Sequence, residues 1–392
     1  MKKSIPKYLL YILSLLSFLQ PPYLSVAYPK IVSILKIIQI ALGVFFLLKY
    51  LKKDKVSKFQ IFFVITQFWL FICCLKNGIS FKQSFIDFMQ ISLFSIFLEY
   101  AIKYETKIFF KSFLFLFECY IIINFFSIIL NPNGMYINPL TKTSENFFLG
   151  YKNGHITYIL PLLLIEYINM IKSNKSLSLR FIVFSFLSII TELILWSGTS
   201  LIGVFIFVLA TFILEFRENT RSHINLYLKS YVILYFSIII FRLHNVFSFI
   251  IVDSLKKDLT FTGRTGIWDK AIGFINKELL FGYGSQTSLE HSKKYNAIYA
   301  TSAHNQVLEI IYQGGIPFLI LNIYLVILVK KKLSLYNNKI SSMISLCIFI
   351  ILIMMLMEYY SINNYLIVFL LGYNISYLVG DKNEGNSNNT SV

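Results

Sequence analysis

Apolar stretches of about 20 residues recur along almost the whole chain, and this recurrence limits the fold more than any motif does. A bilayer core about 30 Å thick takes about 20 predominantly apolar residues per helix. Inside it every backbone N–H and C=O must find a partner within the protein. Twelve candidate spans can be delimited, at 5–20, 29–48, 59–75, 81–101, 108–130, 154–171, 179–196, 200–216, 226–242, 304–329, 340–357 and 362–379. Composition points the same way: 56% of the 392 residues are hydrophobic and only 14% are charged, against about 25% charged in an ordinary soluble domain. A soluble globular chain, a disordered one, a collagen and a disulfide scaffold are all excluded. The expected fold class is an all-α polytopic membrane protein with about 12 transmembrane helices.

The N-terminus begins Met1-Lys-Lys and runs into apolar residues, as a secretion signal does, but Gln20-Pro21-Pro22 is not a small-residue cleavage site. The first stretch is therefore expected to stay in the membrane, as a span of its own or as a hairpin with the second around Pro21-Pro22. Cys73, Cys74, Cys119 and Cys347 all lie in apolar runs without the spacing of a zinc or redox motif. They read as buried thiols, and no metal site is expected.

The formal net charge is +17, which in a soluble chain would suggest nucleic acid. In a membrane chain it is first a topological signal, because cytoplasmic loops carry the Lys/Arg excess. With the N-terminus inside, 22 of the 36 Lys and Arg residues fall on inside segments. The short outside loops hold only Lys30, Lys76, Lys82, Lys142 and Lys152. This predicts a multi-pass protein of the cytoplasmic membrane with both termini cytoplasmic and no nucleic-acid partner. It also divides the chain into helices 1–9 over residues 1–242, one large extracytoplasmic loop over 243–303, helices 10–12 over 304–380, and a polar cytoplasmic tail over 381–392. The rarity of Ala beside abundant Lys, Ile, Asn, Phe and Tyr suggests an AT-rich bacterial genome.

Ionisable groups within a membrane are costly and mark candidate sites. Asp87, Glu192, Arg242, Glu309 and Glu358 all fall near outer span ends, as do Asn153 and His155, while Glu118 lies mid-span and Glu99 near the inner face. Each alone could be an interfacial residue reaching headgroups. Together they argue for a site at the outer surface, whereas a transporter should place coupled charges near the midplane.

The motif-bearing stretch is Gly263-Arg-Thr-Gly-Ile-Trp268, then Leu280-Phe-Gly-Tyr-Gly284, then Ala303-His-Asn-Gln-Val-Leu-Glu309 running to Gly314-Gly-Ile-Pro317. Arg264 offers a planar guanidinium suited to two phosphate oxygens, or alternatively a salt bridge to a loop carboxylate such as Asp269. Ile267, Trp268, Ala271, Ile272 and Phe274 make an amphipathic stripe able to lie on a membrane surface. His304 is placed to act as a general base or to hydrogen-bond an anionic substrate. Asn305 follows it and shares a helix face with Glu309 at i,i+4, although Thr301, Ser302 and Asn305 also suit a helix start. The Gly314-Gly-Ile-Pro317 break requires neighbouring protein to satisfy its backbone.

These elements in this order resemble the O-antigen ligase/polymerase superfamily, which includes the polymerases of O-antigen and capsular polysaccharide. The resemblance covers about residues 145–330 and is strongest over 263–317. Lys152-Asn-Gly-His155 is similar to an Asn-containing element of that family, and it brings Asn153 and His155 into the candidate site. A Ser-Arg pair common in the family is replaced by Trp196-Ser-Gly-Thr-Ser200, so Arg242 stands as the possible second arginine. The resemblance implies a C-type membrane glycosyltransferase architecture and a polymerase that moves a growing glycan from undecaprenyl diphosphate to the next lipid-linked repeat unit. The flippase and chain-length regulator of the same pathway would be its partners, and no cofactor is implied. His304 and Arg264 would be catalytic, with Arg242, Asn305, Glu309, Trp268, Asn153 and His155 binding substrate. The alternatives are a ligase of the same superfamily or a flippase of lipid-linked oligosaccharide.

Overall fold

The computed structural model describes residues 5–53, 55–138, 143–173, 177–217, 220–243, 263–297 and 300–380. The loop segment 244–262 and the tail therefore lie outside the described residues. A helix forms at each of the twelve expected positions. They are α1 (Ile5–Phe18), α3 (Pro29–Leu51), α4 (Lys58–Lys76), α5 (Phe81–Tyr104), α6 (Thr106–Leu130), α7 (Ile156–Lys172), α8 (Leu179–Ile194) and α9 (Gly198–Glu215). The rest are α10 (Ile224–Tyr235) with a π turn over Phe236–Ile240, α13 (Gln306–Leu333), α14 (Lys339–Met354) and α15 (Ile362–Tyr373). The short α2 (Pro22–Ala27) connects α1 and α3, and α16 (Ile375–Val379) follows α15. Among the described residues seven helices are long and apolar enough to cross a membrane, and the protein is an all-α polytopic membrane protein.

Both faces of the helices are apolar, as lipid requires. Ile37, Phe186, Ile202 and Phe205 are 56–71% exposed, which water would penalise and hydrocarbon tolerates. The interior is aromatic: Tyr11, Phe46, Phe97 and Phe109 cluster between α1, α3, α5 and α6, with Phe46 and Phe97 rings 4.8 Å apart. Among the deeply packed spans is α7, whose residues Leu162–Ile165 are almost fully buried.

Charges sit at the two ends of the bundle. At one end Glu99 accepts from Tyr50 at 3.3 Å and from Ser57 at 3.0 Å and pairs with Lys103 at 2.8 Å. Glu118 of α6, mid-span in the sequence reading, meets Arg180 at the start of α8, so its charge is matched in the low dielectric. The other end carries the candidate site.

The outlying helices α11 (Arg264–Ile275) and α12 (Ser288–Tyr295) pack on the first turns of α13. Ile267, Trp268, Ala271 and Ile275 form a small second core with Tyr295, Leu308 and Tyr312. The amphipathic stripe of α11 is thus consumed inside the protein and does not rest on a membrane surface.

The break in α13 is mended by the Phe281–Gly284 turn. Pro317 has no N–H, and Ile316 N–H bonds the carbonyl of Leu279 at 2.8 Å, so the carbonyls of Tyr312 and Gln313 lose their helical donors. Tyr283 and Gly284 N–H groups take their place, each at 2.8 Å. Gly314 O, next in line, accepts the Trp69 indole at 2.8 Å. At Gly315 (φ 69°) a Cβ would come within 2.2 Å of Leu280 O. The two glycine motifs are halves of one joint.

Candidate functional site

Asn153 reaches the site through a small hairpin, β1 (Asn146–Phe147) paired antiparallel with β2 (Gly150–Tyr151). Asn124 anchors it from α6, accepting Leu149 N–H at 2.9 Å. His155, fully buried, lies 3.1 Å from Gly150 O through Nε2 and 3.3 Å from the Asn124 amide nitrogen through Nδ1. A carbonyl only accepts and an amide NH₂ only donates, so Nε2 carries the proton and the ring is neutral. His155 is a pin between the hairpin and α7, one turn from the site.

His304 and Glu358 are brought together by hydrogen bonds between the segments that carry them. Past the end of α14, Met355 O accepts Gln306 N–H at 3.0 Å, Leu356 O accepts the Asn305 amide at 2.9 Å, and Tyr360 N–H donates to Gln306 Oε1 at 2.9 Å. Asn305 is the N-cap of α13, its side-chain oxygen accepting Leu308 N–H at 3.0 Å. Both functional groups of Asn305 are therefore used in the scaffold.

Glu358 is the hub of the site. Its Oε1 accepts from Arg264 at 2.5 Å and from Asn153 at 2.8 Å, and its Oε2 lies 3.3 Å from His304 Nδ1. Asn153 in turn accepts from Ser197 at 3.3 Å. Burial alone would raise the Glu358 carboxyl, but the contacts with His304, Arg264 and Asn153 outweigh it and hold the group below its ordinary value. Facing a carboxylate, Nδ1 of His304 carries the proton, and Nε2 becomes the basic nitrogen of the neutral ring. The side chains of Arg264 and His304 are each 20% exposed, while Glu358 is 12% exposed. The cation and the imidazole remain reachable, with the carboxylate behind them.

The backbone at His304 is left-handed, φ 47°, a conformation that costs a non-glycine residue roughly 1–2 kcal/mol. Ser302 accepts the His304 N–H at 3.2 Å, the Trp268 indole lies 3.5 Å from its carbonyl, and Glu309 accepts the preceding Ala303 N–H at 2.7 Å.

Trp268 is fully buried in the second core, and the Arg242 guanidinium lies 5.6 Å from the centre of its ring. Arg242, itself at φ 53°, pairs with Asp269 at 2.5 Å. The Asp269 partner considered for Arg264 thus belongs to Arg242, and Arg264 takes Glu358. Glu309 is 3% exposed and points into the scaffold.

The structure therefore brings Arg264, His304 and Asn153 into one cluster, with Arg242 linked to it through Trp268. Asn305, Glu309, Trp268 and His155 stand behind it. Glu358 is the residue that sequence reasoning passed over. Its place at a span end was legible, but nothing local tied it to residues 54 and 94 positions away. Among the described residues no three His, Cys, Asp or Glu side chains gather as a metal set.

Fold and site together define a polytopic helical membrane protein with an arginine–carboxylate–histidine cluster at one end of its bundle. Residues 176–323 match the family model described as O-antigen ligase, which supports the O-antigen ligase/polymerase superfamily. The match includes Arg264, His304 and the α13 joint. No curated protein and no solved structure gives a significant match.

Proposed function

We propose that the chain is an oligosaccharide repeat-unit polymerase, a membrane glycosyltransferase acting on undecaprenyl-diphosphate-linked glycans at the outer face of the cytoplasmic membrane. The observation that carries this reading is the Arg264–Glu358–His304 cluster, with Asn153 beside it. In the reaction the bond between the anomeric carbon and the diphosphate oxygen breaks, and a bond from that carbon to an acceptor hydroxyl forms. His304 Nε2 takes the hydroxyl proton, and Glu358 stabilises the resulting imidazolium. The leaving undecaprenyl diphosphate needs its negative charge neutralised. Arg264 supplies that charge at the cluster, and Arg242 adds a second cation held by Trp268 and Asp269. The diphosphate is already a good leaving group, so no separate acid is required, and two arginines take the place that a divalent cation holds in other glycosyltransferases.

A ligase, which attaches finished glycan to a different acceptor, uses the same chemistry, and the description of the matching family favours it as the second reading. Gel analysis of lipid-linked glycans in a deletion strain separates the two. Accumulated single repeat units support the polymerase, and long unattached chains support the ligase. Unchanged glycans would remove both. In the complemented strain Arg264→Ala and His304→Ala should each reproduce the deletion pattern at normal protein levels.

A further inference from the structure

A buried histidine that this mechanism does not use lies behind the segment carrying His304. His291 of α12 is 1% exposed. Its Nδ1 lies 3.0 Å from Ala300 O, and its Nε2 lies 3.2 Å from Glu309 Oε2. That second contact is an ion-pair distance off the line of an ideal hydrogen bond. Glu309 Oε2 also accepts Ala303 N–H at 2.7 Å, and its Oε1 accepts the Gln313 amide at 2.9 Å. Both oxygens therefore act as acceptors, which is the behaviour of a carboxylate. With a carbonyl on one side and a carboxylate on the other, the imidazole needs a proton on each nitrogen. The other groups facing it are aromatic: Tyr295 on its own helix, with ring centres 4.2 Å apart, and Tyr312 on α13 at 4.8 Å. The ammonium of Lys294 stands 5.3 Å from the Tyr312 ring.

We infer that His291 and Glu309 form a buried charged pair that positions His304, a role resting on the reading of His304 as the base. Glu309 holds the N–H of Ala303, the residue immediately before the left-handed His304, and protonated His291 holds Glu309. Neither residue touches substrate. If Nε2 loses its proton, its lone pair faces the carboxylate and repels it, and the grip on Ala303 loosens. The pair thus ties base placement to the charge of His291.

The test uses the full-length protein in liposomes, with lipid-linked repeat units extracted from the deletion strain as substrate. Glu309→Gln and His291→Gln should each lower kcat by about tenfold to a hundredfold, the scale of a small misplacement of a catalytic group. KM should stay within about twofold; each single variant leaves one buried charge unmatched and should melt lower, so kcat is read per folded molecule. The double variant should be no slower than the slower single variant, because both act through one contact. Should His291→Gln fail to accumulate, the nearly isosteric Glu309→Gln carries the test. Wild-type kcat in Glu309→Gln or in His291→Gln, or a rate loss that only tracks lost folded protein, would overturn the inference. A fully active His304→Ala would instead sink the functional reading beneath it.

Discussion

At the residue scale the site is governed by one carboxylate. Glu358 is poised between a guanidinium and an imidazole in a mostly buried setting, so removing its charge leaves Arg264 unmatched. Glu358→Gln is expected to destabilise the protein by about 3–5 kcal/mol, the usual consequence of breaking a buried ion pair from one side, and to lower glycan transfer more than tenfold. Melting in detergent and turnover per folded molecule measure the two effects separately. The pH dependence has a definite sign. The folded state holds the Glu358 carboxyl below its ordinary value, so its contribution is complete above the ordinary carboxyl range and is lost as pH falls towards the depressed value. Wild-type melting temperature should therefore decline in acid, and Glu358→Gln should decline less. A parallel decline in both would assign the acid sensitivity elsewhere. Arg264 and His304 were legible in the sequence because their motif places a permanent cation and a titratable base on one outside segment. Glu358 was not, because its partners come from other elements and only folding sets them within 3.3 Å.

At the element scale the instructive feature is the joint in α13. Gly314-Gly-Ile-Pro317 announces a break in a span, and a break at membrane depth needs partners. Those partners are the Phe281–Gly284 turn and the indole of Trp69, so the break closes on the protein itself. Gly315→Ala should be strongly destabilising, by about 2–4 kcal/mol, since it combines an unfavourable left-handed φ with a Cβ driven into the Leu280 carbonyl. Trp69→Phe should cost about 1–3 kcal/mol by leaving Gly314 O with only the weak Cys73 thiol contact at 4.0 Å. Chemical denaturation in detergent would check both, and a neutral Gly315→Ala would show that the joint relaxes freely. The α11 stripe teaches a related lesson. Its periodicity identified a helix with one apolar face, but periodicity is blind to what covers that face, and α13 covers it before a membrane can.

At the scale of the whole molecule, charge and apolarity are arranged along the bundle axis. Glu99 with Lys103 and Arg180 with Glu118 are matched towards one end, and the Glu358 cluster occupies the other. The distribution of Lys and Arg predicts that the cluster end faces outward. Reporter fusions at residue 280 should be active on the extracytoplasmic side, and fusions at residue 335 should be active in the cytoplasm. The reverse pattern would also remove the outer-face reading of the site.

The all-α membrane class, the positions of the twelve apolar helices and the existence of a polar end could be read from the sequence alone, because the bilayer imposes a length and an apolarity that few other constraints can mimic. Arg264 and His304 could be named as candidates there too, since their chemistry is local. The tertiary structure decided which carboxylate completes the site, what closes the α13 break, and that His155, Trp268, Asn305 and Glu309 hold the scaffold. Each of those depends on contacts between residues far apart in the chain. Composition and periodicity report the solvent around each helix, and only packing reports its neighbours.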